Sequence, residues 1–316
     1  MRVSIVIALL NEAEGLEWMR ERLVSTLAAQ RDLDWEVILV DDGSTDSSWE
    51  IIEGFAAADR RFRGVRLSRN FGNHAALLAG LSVATGDVAM NLAADLQTPP
   101  ELVARMCREY QEGADIVFGA RKRRVDGIFG RLAGMVSYRV ISLLSDQNLP
   151  PKGIDVFLLG RAPLDAFLAL SGRNNSILSR AMSLGFVQRT IAYEPATRAW
   201  GRSKWTLRKK LGLFADTLLA HSARPLRLCF AAAIACAAGG LAGMALSTYL
   251  FGWSLAVPHL LSAVLLVCGV QLVGVGLLGE YVFRGFQEAA SAPVYIVRED
   301  TARAGMPRSI KAIGRG

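Results

Sequence analysis

The chain predicts an α/β fold: a mostly parallel sheet with helices on both faces, then interfacial amphipathic helices, then a two-helix membrane hairpin. Three observations carry this expectation. Short β-branched runs alternate with helical periodicity through the first part of the chain. Two charge-free apolar runs follow, Leu228–Phe251 and Leu255–Leu278, each long enough as a helix to cross a hydrocarbon core of ~30 Å. Carboxylate-bearing turns close several of the strands, where open α/β sheets hold their ligands.

Each element has a local reason. Val3–Leu9 is a continuous apolar run and reads as a buried strand; it is too short for a secretion signal. Glu12–Ala29 has helical periodicity. Glu36–Val40 is a second strand, ending in Asp41-Asp42-Gly43-Ser44, and Ser44 or Thr45 is placed to cap a helix over Asp46–Ala58. Gly64–Leu67 is a short strand, with a helix near Asn73–Ala84. Asp87–Leu92 is another strand, after which Pro99-Pro100 open a helix through Tyr110. Asp115–Gly119 is a fifth strand.

Beyond Arg124 the pattern changes. Phe129–Leu144 reads as a basic amphipathic helix that lies either in the membrane interface or on the sheet. Ile154–Leu159 and Val187–Tyr193 are strands; Pro163–Leu170 and Asn175–Leu184 are helices. Trp205–Leu219 mixes Lys, Arg and Leu, as a second interfacial helix would. In the first apolar run Gly239 and Gly243 form a small-xxx-small ridge. A short strand is expected near 293–297, and a frayed polar tail after it. The expected domains are therefore 1–204, a juxtamembrane helix at 205–222, a hairpin at 226–282 and a tail at 283–316.

Composition narrows the function classes. Of 316 residues, 52% are hydrophobic, and the excess lies after Pro225. The net charge of +7 could suggest nucleic acid. Yet Lys204, Arg208, Lys209, Lys210, Arg224 and Arg227 gather just before the first run, and Arg284 follows the second. The positive-inside bias then sets both flanks in the cytoplasm, and with them both termini and the globular part. The basic balance is read as binding to bilayer and phosphate, with no nucleic-acid partner. The cysteines are too scattered for a metal site or disulfide framework. No G-x-G-x-x-G follows the first strand, which disfavours a nicotinamide enzyme.

The sharpest chemical text is Asp95-Leu96-Gln97-Thr98-Pro99-Pro100. Asp95 and Gln97 offer hard oxygens suited to Mg²⁺ or Mn²⁺, which take few carboxylates when substrate phosphates complete the shell. The other reading makes Asp95 a helix cap.

Taken in order, these motifs resemble the GT-A-fold, family 2 glycosyltransferases that act on polyprenyl phosphates, the group of dolichol-phosphate mannose synthase and the bacterial bactoprenol-phosphate glucosyltransferases. The matching text is Leu10-Asn11-Glu12, Asp41-Asp42-Gly43-Ser44, Ser68-Arg69-Asn70-Phe71-Gly72, Asp95-Leu96-Gln97 and the Arg198 to Lys204 segment. The resemblance implies a nucleotide-diphospho-sugar donor, an undecaprenyl-type phosphate acceptor, a divalent metal and a homotetramer. It assigns Glu12, Asp41 and Asp42 to the nucleoside and sets Arg69 near the donor. It gives Asp95 and Gln97 to the metal and makes Asp155 the catalytic carboxylate. Arg198, Ser203 and Lys204 would close over the diphosphate, and Arg121, Arg131 and Ser137 would meet the acceptor phosphate.

Two positions depart from the family text. Ala93 stands where a first metal carboxylate is usual, so weak metal binding is expected. Leu10 replaces a tyrosine beside the base. A pseudoenzyme scaffold and a transferase using another lipid-linked or glycan acceptor are the rival readings.

Overall fold

The computed structural model describes residues 1–30, 32–122, 154–170, 177–196, 224–251, 253–289 and 293–303. The expected helices at 129–145 and 205–222 lie outside them, as do Arg131, Ser137, Arg198, Ser203 and Lys204. The chain divides into two units. One holds the N-terminal part together with the described segment 293–303; the other holds the two long apolar helices.

In the first unit the strands are β1 (Arg2–Leu9), β2 (Asp34–Asp41), β3 (Phe62–Leu67), β4 (Val88–Ala93), β5 (Ile116–Arg121), β6 (Ile154–Gly160), β7 (Gln188–Tyr193) and β8 (Val297–Asp300). The helices are α1 (Ala13–Ala28), α2 (Ser48–Ala58), α3 (Asn73–Leu81), α4 (Leu102–Gln111), α5 (Arg161–Ala169) and α6 (Ile177–Met182). They flank one sheet of order β7-β5-β6-β4-β1-β2-β3-β8. Strands β1 to β4 are mutually parallel where they pair, and β5 pairs β7 in parallel. Strand β6 runs antiparallel between β4 and β5. The chain winds from β1 to β3 on one side and returns to β4 on the other, so the topological switch lies between β1 and β4. Ligands of such sheets bind outside the strand carboxyl ends at that point.

Side-chain alternation explains the layering. In β1, Ile5 and Ile7 join the cluster with Leu16, Met19 and Leu23 of α1, while Val6 turns to the opposite cluster with Ala76 and Leu81 of α3. Both faces are covered, and the central strands are therefore apolar on both faces rather than alternating, with Ser4, Glu36 and Asn91 as buried polar exceptions. Each fully buried aliphatic side chain contributes ~1.5–3 kcal/mol relative to exposure. Cys107 packs inside the first cluster, where burial pushes its thiol up to about 12, as suits a small inert core residue.

Some boundaries differ from expectation for identifiable reasons. Helix α2 starts at Ser48, and neither Ser44 nor Thr45 caps it. Ser44 is drawn to the β1 loop, where its Oγ accepts from the Asn11 amide at 2.9 Å. Asp46 serves the helix start: one oxygen accepts from Ser48 N at 3.1 Å, the other from Ala13 N at 3.2 Å. The last strand forms at Val297–Asp300 and not at 293–297. Pairing sets that register: Arg66 faces Glu299, and Arg63 makes a bidentate bond to Asp300 at 3.0 and 2.7 Å. The segment expected to fray thus continues as a strand and a short turn to Arg303. Just before it, Tyr295 is buried and donates to Ser82 Oγ at 3.0 Å.

The second unit contains α7 (Arg224–Phe251) and α8 (Trp253–Ala289). Ala231–Leu250 and His259–Gly279 are long and apolar enough to cross a membrane, with mean hydropathies of 1.6 and 2.4. Where the helices touch, a Cβ on Gly240 would stand 2.7 Å from Ala263 Cβ, so close approach requires glycine there. A Cβ on Gly239 or Gly243 would meet nothing, so the expected ridge does not form the contact between these two helices.

Candidate active site

Two groups of side chains lie along the carboxyl edge of β1, β2, β4 and β5. The first is a set of interlocked turns. Asn11 follows β1 with φ +52, an uncommon conformation for a non-glycine residue. Its Oδ1 accepts from Thr45 N at 2.8 Å, and Glu12 N donates to Ser48 Oγ at 3.0 Å. Asp41 ends β2, Asp42 follows it, and both are buried. Asp41 Oδ1 accepts from Ser44 N at 2.9 Å, and Arg66 Nε stands 3.3 Å from Asp41 Oδ2. Asp42 accepts from Phe71 N at 2.8 Å and from Gly72 N at 2.9 Å, which fixes the loop after β3. Burial pushes the Asp42 carboxyl above its ordinary value; the two amide bonds oppose this, and neighbouring Asp41 adds to it.

Gly43 between these turns has φ +75, and a Cβ there would lie 2.6 Å from the Arg69 carbonyl carbon. Both facts demand glycine. Arg69 reaches along this loop with its guanidinium 4.3 Å from the Phe71 ring centre.

The second group centres on Asp155. Gly119 pairs with Val156 and Ala120 with Ile154, leaving Asp155 as the extra residue of a bulge in β6. Bulges re-aim a side chain out of the pleat. Asn91 of β4 secures the bulge: its Nδ2 donates to the Asp155 carbonyl at 3.0 Å, and its Oδ1 accepts from Phe157 N at 2.9 Å. The Asp155 carboxylate takes a hydrogen bond from Arg121 Nε and lies 2.7 and 2.6 Å from the Tyr193 hydroxyl that donates to it. Arg121 and Tyr193 are register partners at the ends of β5 and β7. Arg121 also donates to Gln97 Oε1 at 3.3 Å, and Thr98 Oγ1 lies 3.4 Å from the Tyr193 hydroxyl.

The electrostatics follow from this geometry. Burial works against the Arg121 charge, but the adjoining Asp155 carboxylate outweighs it and raises the guanidinium above its ordinary value. Burial, then the bond to Asp155, push the Tyr193 phenol up to about 12, so it stays a donor at neutral pH.

Asp95 sits on the turn between the two groups. Its Oδ1 accepts from Gln97 N at 3.2 Å, and the turn bends at Leu96, which has φ +47 and a buried side chain. The donors that Asp95 and Gln97 present are hard oxygens, the type Mg²⁺ and Mn²⁺ prefer. Among the described residues no three His, Cys, Asp or Glu side chains gather to hold a metal. Two such oxygens fit a cation that completes its shell with oxygens of a phosphate-bearing ligand.

Of the residues expected to act, the structure brings Arg121, Gln97 and Asp155 into direct contact, although the sequence suggested three different roles for them. Asp41, Asp42 and Arg69 meet around the first group of turns. Sequence reasoning missed Tyr193, Thr98, Asn91 and Arg66. For Asn91 a signal existed: an amide side chain inside an apolar strand needs a buried partner.

A sheet with its switch point beside carboxylate turns, and an Arg–carboxylate–Tyr cluster on the same edge, is the architecture of an open α/β protein with a ligand site at that edge. Residues 4–156 match the family model described as Glycosyl transferase family 2. An uncharacterized glycosyltransferase, YkcC, of Bacillus subtilis (strain 168) is 31% identical over 308 residues, covering 95% of this chain and 94% of that protein. An undecaprenyl-phosphate 4-deoxy-4-formamido-L-arabinose transferase of Pectobacterium carotovorum subsp. carotovorum (strain PC1) is 34% identical over 316 residues, covering 96% and 94%. Among solved structures, mannosyl-3-phosphoglycerate synthase from Rubrobacter xylanophilus aligns with a TM-score of 0.47 at 18% identity, over 72% of this chain and 75% of that one. The chain belongs to glycosyltransferase family 2, and it is a glycosyltransferase.

Proposed function

We propose that this enzyme transfers a hexose from a nucleotide-diphospho-sugar, with UDP-glucose the favoured donor, to undecaprenyl phosphate at the cytoplasmic face of the inner membrane. The observation that carries the reading is the convergence of Asp155, Arg121, Tyr193 and Gln97 at the ligand-binding edge of a chain that also has two membrane-length helices. Relatives matched over nearly their whole length and named as undecaprenyl-phosphate transferases support the acceptor class.

The reaction is an in-line displacement. An acceptor phosphate oxygen forms a bond to the anomeric carbon while the bond to the donor diphosphate breaks, inverting the configuration. A phosphate monoester has its second pKa near ~6 and is mostly dianionic at neutral pH, so no strong base is needed. Asp155, held on two sides by Arg121 and Tyr193, faces positive charge developing at the anomeric carbon. Arg121, a partly exposed cation beside Asp155, is assigned to the incoming acceptor phosphate. Glu12 and the Asp41–Ser44 turn form the nucleoside side, with Arg69 beside the donor. By the family resemblance, Arg198, Ser203 and Lys204 are assigned to the donor diphosphate, and Arg131 and Ser137 to the acceptor phosphate. Asp95, with Gln97, would hold Mg²⁺ or Mn²⁺, which when bound neutralises charge on the departing diphosphate. Anchoring at the bilayer raises the effective concentration of the lipid acceptor.

The test is a screen of nucleotide-sugars against undecaprenyl phosphate with the detergent-solubilised chain, read by the mass of the lipid product. A hexosyl-phospholipid from UDP-glucose is expected. A product only from a 4-deoxy-4-formamido-L-arabinose donor would move the sugar to that of the named relatives. Absence of any sugar-bearing lipid from every donor would sink the acceptor reading. A homotetramer is part of the proposal, and the mass of the solubilised particle tests it.

A further inference from the structure

We infer that Arg66 is a positioning residue for the nucleotide-side turn, and that the C-terminal strand β8 acts on that turn through it. The inference rests on the nucleotide-sugar reading above. Asp41 is 0% exposed, so it touches no ligand in this conformation. Its Oδ1 holds the turn by accepting from Ser44 N at 2.9 Å. Its Oδ2 is buried and accepts no hydrogen bond among the described residues. The charge facing that oxygen is Arg66, with Nε 3.3 Å away.

Arg66 is itself fixed from two further directions. Its Nη1 lies 3.5 Å from Glu299 of β8, its register partner, and its guanidinium lies 5.6 Å from the Trp49 ring centre. From Asp41 the contacts continue through Ser44, whose Oγ receives the Asn11 amide at the left-handed bend after β1. A polar path therefore joins Glu299, Arg66, Asp41, Ser44 and Asn11. It starts on the strand that follows the second membrane-length helix in sequence and ends at the switch point between β1 and β4.

A buried carboxylate that loses its counter-charge is strongly destabilising, whereas replacing the whole pair by neutral groups is much less so. That asymmetry gives the test. UDP, GDP, CDP and TDP with Mg²⁺ are titrated calorimetrically into the full-length solubilised protein. For whichever nucleotide binds, Arg66→Met should weaken affinity ~10-fold or more, and Arg66→Lys should recover most of the loss. Asp41→Asn/Arg66→Met should be no worse than Asp41→Asn alone, because Arg66 acts through Asp41. If Arg66→Met fails to fold, the neutral double variant and Arg66→Lys carry the comparison. Glu299→Gln should weaken binding ~2- to 3-fold, as befits a partly exposed partner. Additive losses in the double variant, or wild-type affinity in Arg66→Met, would overturn the relay alone. Binding of none of the nucleotides by wild type would overturn the nucleotide-sugar reading and the relay with it.

Discussion

The two groups of side chains at the carboxyl edge use their carboxylates in opposite ways. Beside β1 and β2, Asp41 and Asp42 accept hydrogen bonds from backbone amides, those of Ser44, Phe71 and Gly72, and the one side-chain charge described against them is Arg66 on Asp41. Beside β5, β6 and β7, Asp155 meets other side chains, Arg121 and Tyr193. The Asp41 side chain is fully buried, while those of Asp155 and Arg121 stay 27% and 34% exposed. The first group holds its turns in shape, and the second stays partly exposed. The comparison teaches that a carboxylate's neighbours, more than its motif, separate scaffold from chemistry.

Substitutions can break or sharpen that contrast. The largest effect is expected at Asp155. Asp155→Asn should lower kcat ~100-fold or more while donor affinity changes little, because the charge is needed in the transition state. Steady-state kinetics with separate nucleotide titration decides this; parallel losses in both would return Asp155 to a binding role. Tyr193→Phe removes a donor but leaves Arg121 in place, so kcat should fall ~10-fold with ~1 kcal/mol of stability lost. An unchanged rate would assign Tyr193 to the core alone.

The shape-holding group should respond in affinity. Gly43→Ala places a methyl against the Arg69 backbone at positive φ, costing ~1–3 kcal/mol in thermal stability and weakening nucleotide binding more than turnover. The smallest expected effect is in pH dependence. The folded Asp42 carboxyl lies above its unfolded value, so its contribution to stability is complete below about pH 4 and declines as pH rises through the folded pKa. Asp42→Asn removes that decline. Its Tm relative to wild type should therefore climb as pH rises from about 4. A flat difference would mean that Asp42 titrates as it does in the unfolded chain.

Most of the sheet was legible from local pattern. β1, β2, β4 and β5 are short apolar runs closed by polar turns, and the structure places them within a residue or two of expectation. The two apolar helices were equally plain, although the second continues to Ala289, past the charge-free run. What local pattern could not reveal was pairing. Arg121 and Asp155 are 34 residues apart and meet only because β6 returns antiparallel beside β5 with a bulge. Tyr193 reads as an ordinary strand-end aromatic until β7 is set against β5. The register of β8 depends on Arg63 and Arg66, more than two hundred residues earlier. Its polar Val297-Arg298-Glu299-Asp300 text resembles a loose end because its partners are charged.

Strand β8 has a consequence for biogenesis. The edge of β3 stays unsheltered until both long helices have left the ribosome, because the residues that cover it follow those helices in sequence. An exposed strand edge is a template for association with other chains. Nascent polypeptide would therefore be most vulnerable during helix insertion. Cutting the gene before Arg224 to liberate a water-soluble catalyst would make that transient hazard permanent, whereas grafting 293–303 back onto the shortened product should relieve it.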